Sequence, residues 1–235
     1  MERFPEEFAE LLTPSGRALV EGTSELKGTL GRSRFFTSNA LLDPALSRQV
    51  PALLERTFAD LLVEIDRGVP NPKSSFASHI DMLPKIGRML STPTEGGEDT
   101  EVWRRGEQCG AVQMMTSKSY LAFVEALCGH AVLGPVTLQA LCYRPGDYAG
   151  PHTDNHPEEK ETKDGYTDVH LTFCTPDVEQ QLLVYEHQGH LSQVANIVGD
   201  GTVTAYRLPF WHYTTPMVGA KAARRWLLLG SFVHP

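Results

Sequence analysis

The sequence lacks any apolar run of membrane-spanning length, which argues against a transmembrane helix. Its first residues, MERFPEEFAELL, have neither a basic start nor an apolar stretch, so no secretory signal peptide is expected. Cysteine is scarce, and no two cysteines form a C-x-x-C pair. This usage is typical of reduced, mostly buried thiols in a cytoplasmic protein. The cysteines are Cys109, Cys128, Cys142 and Cys174.

An excess of positive charge is also missing. The chain has 21 Lys and Arg against 29 Asp and Glu, a net charge of -8. Binding to a nucleic-acid backbone or to an anionic membrane surface needs a positive footprint, so we expect neither partner. Hydrophobic residues make up 41% and charged residues 21% of the 235 residues, which is ordinary globular composition. A chain of this length can bury a full core, and its composition leaves the oligomeric state open.

The first part of the chain is predicted to be mostly helical. PEEFAELL (5–12) has acidic residues in the first turn of a short helix. A second helical region covers 43–68, where Pro51 is expected to split or kink it and the better helix is 52–66. The polar, glycine-rich segment 92–101 is predicted to be a loop, and 117–129 a helix closed by a glycine.

From residue 135 the pattern changes to short segments rich in β-branched and aromatic residues, separated by Gly, Pro and Asp turns. Helices followed by evenly spaced strands predict a mainly β fold with supporting helices, a helix-braced sandwich or barrel. We therefore predict a single domain over 1–235, with helical support and substrate-side loops in 1–134 and the barrel in 135–235. The predicted strands are 135–143, 168–175, 181–187, 201–208 and 224–233.

Three residues in the strand-rich part have the side chains of a metal site. His152 and Asp154 are two apart, so in an extended strand both can reach one ion. His212, on a short aromatic strand, supplies a third ligand. Two imidazoles and one carboxylate form the facial triad of non-haem Fe(II) oxygenases, which leaves three positions open. A 2-oxo acid in two of them needs a cation for its distant carboxylate. Arg224 and Arg225 offer one, on opposite faces of the last strand.

The sequence resembles the prolyl-hydroxylase-like Fe(II)/2-oxoglutarate dioxygenases in three linked motifs over about 135–233. YRPGDYAGPHTDN resembles their first metal-binding motif, and GTVTAY with WHYTTPMVG resembles the strands of their second histidine, G-x-(L/V)-x-x-F followed by H-x-V-x-P-V. RRWLLLGSF resembles their closing strand, where counting back five residues from Gly230 puts the family's arginine at Arg225. The resemblance implies a double-stranded β-helix braced by N-terminal helices, and it implies that Tyr143 hydrogen-bonds the cosubstrate.

The resemblance also implies the chemistry. Fe(II), 2-oxoglutarate and O2 would hydroxylate, desaturate or cyclise at an unactivated C–H bond, with succinate and CO2 released and ascorbate keeping the iron reduced. The compact chain lacks an obvious peptide-binding module, so we expect a small-molecule substrate, such as an amino acid or a specialised metabolite. Two departures from the family pattern are Gln180 and Gln181, which stand where the family often has glycines.

The sequence leaves two other functions open. One is a prolyl-type hydroxylase of protein residues, and the other is a non-catalytic barrel that binds a metal or small ligand. A structural zinc site would be closed by four protein ligands, and it would not need a buried arginine for a cosubstrate.

Other histidines and one loop carry weaker predictions. His156 is a rival ligand in a charged loop, His187 and His190 flank a predicted hairpin turn, and His170 is either a pocket residue or a core histidine. The loop 156–168, directly after the ligand pair, suits a mobile lid over the substrate.

Overall fold

A computed structural model describes residues 1–68, 86–93, 99–135, 138–154 and 166–235. Its strands are β1 (Phe35–Ser38), β2 (Val63–Arg67), β3 (Gly87–Ser91), β4 (Gln139–Tyr143), β5 (Tyr148–Ala149), β6 (Tyr166–Cys174), β7 (Val178–Gln180), β8 (Leu182–His187), β9 (His190–Asn196), β10 (Thr202–Arg207), β11 (His212–Thr214), β12 (Val218–Gly219) and β13 (Arg225–Val233). The largest element is a strongly curved antiparallel sheet of eight strands with the order β1-β10-β6-β13-β4-β3-β2, in which β5 pairs with β3. Two smaller sheets, β11-β8-β9 and β12-β7, complete the sheets of the described residues.

The helices in the described part of the chain all precede β4, and β1, β2 and β3 lie between them in sequence. They are α1 (Pro14–Val20), α2 (Thr29–Ser33), α3 (Pro44–Ser47), α4 (Val50–Phe58), α5 (Glu101–Cys109), α6 (Ala111–Met115) and α7 (Lys118–Cys128), with 3-10 turns at Phe8–Leu11 and Ala59–Leu61. None of them has both the length and the apolar character needed to cross a membrane.

Helix α7 shows how local sequence sets these ends. The Ser117 side chain accepts a hydrogen bond from the Tyr120 amide at the start of the helix. Gly129 ends the helix in a left-handed conformation, φ +83°, which a residue with a Cβ rarely adopts. The predicted helix over 117–129 is therefore confirmed.

The central strands of the main sheet have two different faces. On the outer face, Trp226, Leu228 and Phe232 of β13 are fully buried, and they join one core cluster with residues of the helices, including Phe58 and Phe123. The inner face carries polar residues among apolar ones. Opposite partners in an antiparallel pair point to the same side, so the polar residues of neighbouring strands share this face. This face therefore has room for chemistry, while the outer face supplies most of the apolar core.

The inner face is covered by the two smaller sheets. Leu183 of β8 packs in one cluster with Tyr206 of β10, and Val178 of β7 packs in another with Tyr143 of β4. This closed, two-layered arrangement is a double-stranded β-helix with helices on its outside, so the predicted fold class is confirmed.

Several predicted boundaries need correction. The helix predicted over 52–66 ends at Phe58, and the chain continues as the short turn Ala59–Leu61 and then as β2. Val63 and Ile65 are β-branched and pair with Ser91 and Met89 of β3, so sheet pairing overrides the apparent helical periodicity.

The segment 5–12 contains only the 3-10 turn Phe8–Leu11 instead of an α-helix. The predicted split of 43–68 is confirmed between α3 and α4. The loop prediction for 92–101 lies partly outside the described residues, as 94–98 are not described, and Glu101 already begins α5.

The predicted strands are found within a few residues of their expected ends. Residues 136–137 of the first one lie outside the described residues. Most of the predicted lid, 156–165, also lies outside them, and residues 166–168 belong to β6. The prediction that the loop extends to 168 was therefore wrong for its last three residues.

Candidate metal centre

Backbone pairing brings the two predicted metal-binding histidines together. His152 lies just after β5, and His212 begins β11. They form an isolated antiparallel bridge, in which the amide of each residue donates to the carbonyl of the other at 3.0 Å. The ring centroids are 4.3 Å apart, and both side chains are buried. His152 therefore lies in a single bridge instead of the continuous strand expected from the sequence.

Asp154 completes the group. Its Oδ1 lies 3.2 Å from His152 Nε2, and its Oδ2 lies 3.7 Å from His212 Nε2. One ligand atom from each of the three residues lies within 4.8 Å of the other two. The structure thus brings the side chains of all three predicted residues together.

The hydrogen bonds of the imidazoles show which atoms face that point. His152 Nδ1 lies 2.6 Å from the Gly150 carbonyl oxygen, and His212 Nδ1 lies 2.9 Å from the Phe210 carbonyl oxygen. Because a carbonyl oxygen only accepts, each Nδ1 carries the hydrogen, and in a neutral ring the Nε2 lone pair then points to Asp154. Two lone pairs and a carboxylate that converge on one point fit a divalent cation. Imidazoles held from Nδ1 by carbonyl oxygens are typical of metal ligands.

Tyr206 holds Asp154 and is itself in contact with His170. The Tyr206 hydroxyl donates to Asp154 Oδ2 at 2.7 Å, and it lies 3.0 Å from His170 Nε2. The one hydroxyl hydrogen goes to the carboxylate, so His170 Nε2–H donates to the Tyr206 oxygen. Burial, together with the charge of Asp154, raises the pKa of Tyr206 well above its usual value, which keeps this hydroxyl a donor. His170 therefore lies on the inner face, as part of this chain of hydrogen bonds.

Tyr206 was not predicted as a site residue. The signal for it lies in GTVTAY, where tyrosine stands at the position of the phenylalanine in the motif that this segment resembles. The hydroxyl at that position can bind Asp154 only because folding brings together two residues that are 52 positions apart in the sequence, and this contact is seen only in the three-dimensional structure.

Arg225 lies on the inner face and Arg224 does not. Arg225 is 2% exposed, and its Nη1 and Nη2 donate to Gln181 Oε1 at 3.2 Å and Thr172 Oγ1 at 3.3 Å. Its Cζ lies 4.9 Å from the centre of the Tyr143 ring, because the two residues are paired across β13 and β4. Arg224 is partly exposed and donates to backbone carbonyls nearby. The predicted assignment of faces on the last strand thus matches the structure.

The charge of Arg225 is poorly compensated. Gln181 and Thr172, which accept its hydrogen bonds, are both neutral, and its buried Nε has no hydrogen-bond partner among the described residues. Burial lowers the pKa of the guanidinium below its usual value. A buried cation held mainly by neutral groups favours the binding of an anion at this position.

Gln181 links this arginine to the strand of the second histidine. Its side chain is fully buried, accepts from Arg225 and donates to the Thr215 carbonyl at 3.0 Å, with a longer contact to the Thr214 hydroxyl at 3.4 Å. Thr214 lies on β11 two residues after His212. The sequence showed Gln181 only as a departure from a glycine pattern, and its role in holding Arg225 was not predicted.

A row of aromatic side chains reaches the metal centre from the protein surface. Phe35 and Tyr185 are partly exposed and stack with centroids 4.2 Å apart. Phe210 stacks on both of them and on Tyr206, and its ring lies 5.6 Å from that of His212. Planar or apolar groups are favoured beside such a row.

The remaining predicted histidines lie elsewhere. His187 and His190 are exposed on either side of the turn that joins β8 and β9, so the hairpin prediction is confirmed. His156 lies outside the described residues.

Comparisons with known proteins support the fold. No protein-family model and no curated protein matches this sequence. Among solved structures, SnoN, a non-haem α-ketoglutarate-dependent epimerase from nogalamycin biosynthesis, is similar over 92% of this chain and 84% of its own, with 13% identity and a TM-score of 0.60.

Two bacterial structures are also similar. An oxidoreductase of the 2OG-Fe(II) oxygenase family from Burkholderia pseudomallei matches over 93% of this chain and 90% of its own (11% identity, TM-score 0.57). A Pseudomonas putida prolyl-4-hydroxylase matches over 94% and 99% (16% identity, TM-score 0.51). The chain therefore has the fold of 2-oxoglutarate-dependent Fe(II) oxygenases, as its sequence motifs implied.

Proposed function

We propose that the protein is an Fe(II)- and 2-oxoglutarate-dependent oxygenase. The observation that carries the proposal is the pairing of two features on one inner face. One is a cluster of converging acceptors, His152, Asp154 and His212. The other is a buried cation, Arg225, which donates to the neutral side chains of Gln181 and Thr172. A non-catalytic metal barrel would need the first feature but not the second. The shared fold supports the same function.

In this proposal the three acceptors hold the metal, and the chain's other residues fix their positions. Tyr206 orients Asp154 through its hydroxyl, and the carbonyls of Gly150 and Phe210 fix the imidazole rings. When bound, Fe(II) with 2-oxoglutarate and O2 supplies the oxidising power to break an unactivated C–H bond, with succinate and CO2 as products.

Arg225 is proposed to bind the distant carboxylate of 2-oxoglutarate, with Tyr143 beside it. The planar guanidinium can pair with both carboxylate oxygens, and the Gln181 contact keeps it in one orientation. Because the site is buried, this pairing takes place with little competition from water.

We infer that the substrate is a small molecule with an apolar or planar part. The aromatic row from Phe35 to Phe210 supports this choice, since it gives a flat surface next to His212. SnoN, which has a similar fold, acts in the biosynthesis of a natural product. No nucleic-acid or membrane partner is proposed, because the net charge is -8. The cytoplasmic location and the use of ascorbate as reductant stay predictions.

The experiment is to follow succinate release by the purified protein with Fe(II), 2-oxoglutarate and O2, with and without ascorbate. Metabolite extracts form one arm, and a proline-containing peptide forms another. We expect substrate-dependent succinate release in a metabolite arm and its loss in His212→Ala. Release only with the peptide would overturn the small-molecule proposal. Equal release by the His212→Ala variant, or no release in any arm, would overturn the proposed function.

A further inference from the structure

A second group of metal-binding side chains lies away from the iron-type site. Cys128 ends α7, His130 follows it by two residues, and His234 follows β13. The Cys128 Sγ and one ring nitrogen of each histidine all lie within 4.8 Å of one another. Within the described residues, this and the His152 group are the two clusters of this kind.

The two clusters lie on opposite sides of the main sheet. Cys128 and His234 both contact the Thr167 hydroxyl on β6. The next residue, Asp168, points to the inner face, where it accepts from Ser231. Side chains alternate along a strand, so Thr167 points to the outer, helix-covered face. A metal bound by Cys128 would therefore be separated from the proposed iron by the sheet itself.

The chain segments that carry this group are fixed by backbone hydrogen bonds. Leu133 and Val233 form an isolated antiparallel bridge, with amide-to-carbonyl distances of 2.9 and 2.8 Å. This bridge holds the residue before His234 against the segment that follows His130. The two imidazole rings meet edge to face, with centroids 4.6 Å apart.

The donor atoms are arranged as metal ligands usually are. His130 Nδ1 lies 2.9 Å from the Ala131 carbonyl oxygen, so it carries the hydrogen and leaves the Nε2 lone pair for a ligand. Thr167 Oγ1 lies 2.9 Å from His234 Nε2 and 3.5 Å from Cys128 Sγ, and so contacts two of the three side chains. Burial, and to a smaller extent the Glu125 carboxylate, raises the pKa of the Cys128 thiol, while Arg207 and the Thr167 hydrogen bond lower it. A metal must therefore displace a proton from Cys128.

We propose that Cys128, His130 and His234 form a Zn²⁺ site, with water as the fourth ligand. Thiolate and imidazole together suit zinc, with bonds of about 2.3 Å to sulfur and about 2.0–2.1 Å to nitrogen. The three donor atoms lie within 4.8 Å of one another, so after rotation of the side chains one ion can contact all three. This site does not depend on the proposed oxygenase activity.

Co²⁺ is the probe for this site, because it occupies zinc sites and reports thiolate ligation by a near-ultraviolet charge-transfer band. The proposed iron ligands contain no sulfur, so Co²⁺ bound there gives no such band. We expect the metal-stripped wild-type protein to develop the band as up to two equivalents of Co²⁺ are added, since the proposed iron site also takes one. The band should be lost when Zn²⁺ is added, and Co²⁺ should bind more tightly as the pH rises, since a proton must leave Cys128.

Matched variants identify the ligands. Cys128→Ser and His130→Ala should abolish the band, whereas Cys109→Ser, another buried thiol, and His187→Ala, another exposed histidine, should retain it. His130 is exposed, so its variant should fold even if Cys128→Ser does not. No band in the wild type, or a band of unchanged intensity and affinity in folded His130→Ala, would overturn the proposal. Neither result bears on succinate release.

Discussion

Replacing Arg225 with alanine should raise the 2-oxoglutarate requirement sharply. The side chain is 2% exposed, so its charge has lost almost all of its hydration. Gln181 Oε1 at 3.2 Å and Thr172 Oγ1 at 3.3 Å, which accept from it, are neutral, so a bound carboxylate compensates the positive charge as these groups do not. A hydrogen-bonded charge pair that is desolvated to this extent contributes about 2–5 kcal/mol. At about 1.4 kcal/mol for each factor of ten, the loss corresponds to roughly 30-fold to several thousand-fold in affinity.

The assay is a calorimetric titration of 2-oxoglutarate into the anaerobic, Fe(II)-loaded protein. Arg225→Lys should restore little of the affinity, because an ammonium group cannot form the two parallel bonds of a guanidinium. Arg224→Ala is the matched control, since Arg224 is adjacent in sequence but lies on the other face and donates to the carbonyls of Lys221 and Ala223. Its affinity for 2-oxoglutarate should stay within about twofold of the wild type, as expected for a surface substitution.

Two results would refute this reasoning. If Arg224→Ala weakened binding and Arg225→Ala did not, the cosubstrate would lie on the opposite face of β13. If neither variant changed the affinity for 2-oxoglutarate, the buried charge of Arg225 would not bind the cosubstrate. The Fe(II) content of each variant must be measured in the same samples, so that loss of metal is not mistaken for loss of cosubstrate binding.

Further predictions concern residues that hold the site. Tyr206→Phe removes the 2.7 Å hydrogen bond to Asp154 and should weaken Fe(II) binding about 10- to 100-fold in a chelator competition. An unchanged Fe(II) affinity would show that Tyr206 does not help to hold the metal ligands. Gln181→Glu places a carboxylate beside Arg225 and should weaken 2-oxoglutarate binding more than Gln181→Met does, because only the former neutralises the guanidinium. Burial raises the pKa of every cysteine, that of Cys142 to about 12. A thiol reagent at pH 8 should therefore react slowly with the native protein, and it should label four thiols after unfolding. Fast labelling of the native protein would contradict this.

Local signals in the sequence were sufficient for part of the fold. Ser117 and Gly129 set the ends of α7 through capping, which depends on neighbouring residues alone. Strands β4, β6, β8, β10 and β13 were found from their β-branched and aromatic runs. Strand β2 was missed because its partner β3 lies more than twenty residues later along the chain, and the pairing that stabilises Val63 and Ile65 cannot be read from their own segment.

The candidate site, like the fold, could be predicted from the sequence only in part. The grouping of His152, Asp154 and His212 was predicted from spacing and motif order. Arg225 was distinguished from Arg224 by strand alternation together with its spacing from Gly230. Gln181 and Tyr206 escaped prediction because their roles come from hydrogen bonds to residues on other strands. Cys128 was likewise read only as a buried thiol, and its grouping with His130 and His234 was not predicted, since it depends on the bridge between Leu133 and Val233.

The central claim is that His152, Asp154 and His212 bind Fe(II) and leave positions for 2-oxoglutarate. The most direct measurement is the visible absorption of the anaerobic protein as Fe(II) and 2-oxoglutarate are added together. We expect a weak metal-to-ligand charge-transfer band that saturates at one equivalent of iron and is absent in the His212→Ala variant. A wild-type protein that gives no band, or a His212→Ala variant that gives the same band, would contradict the account.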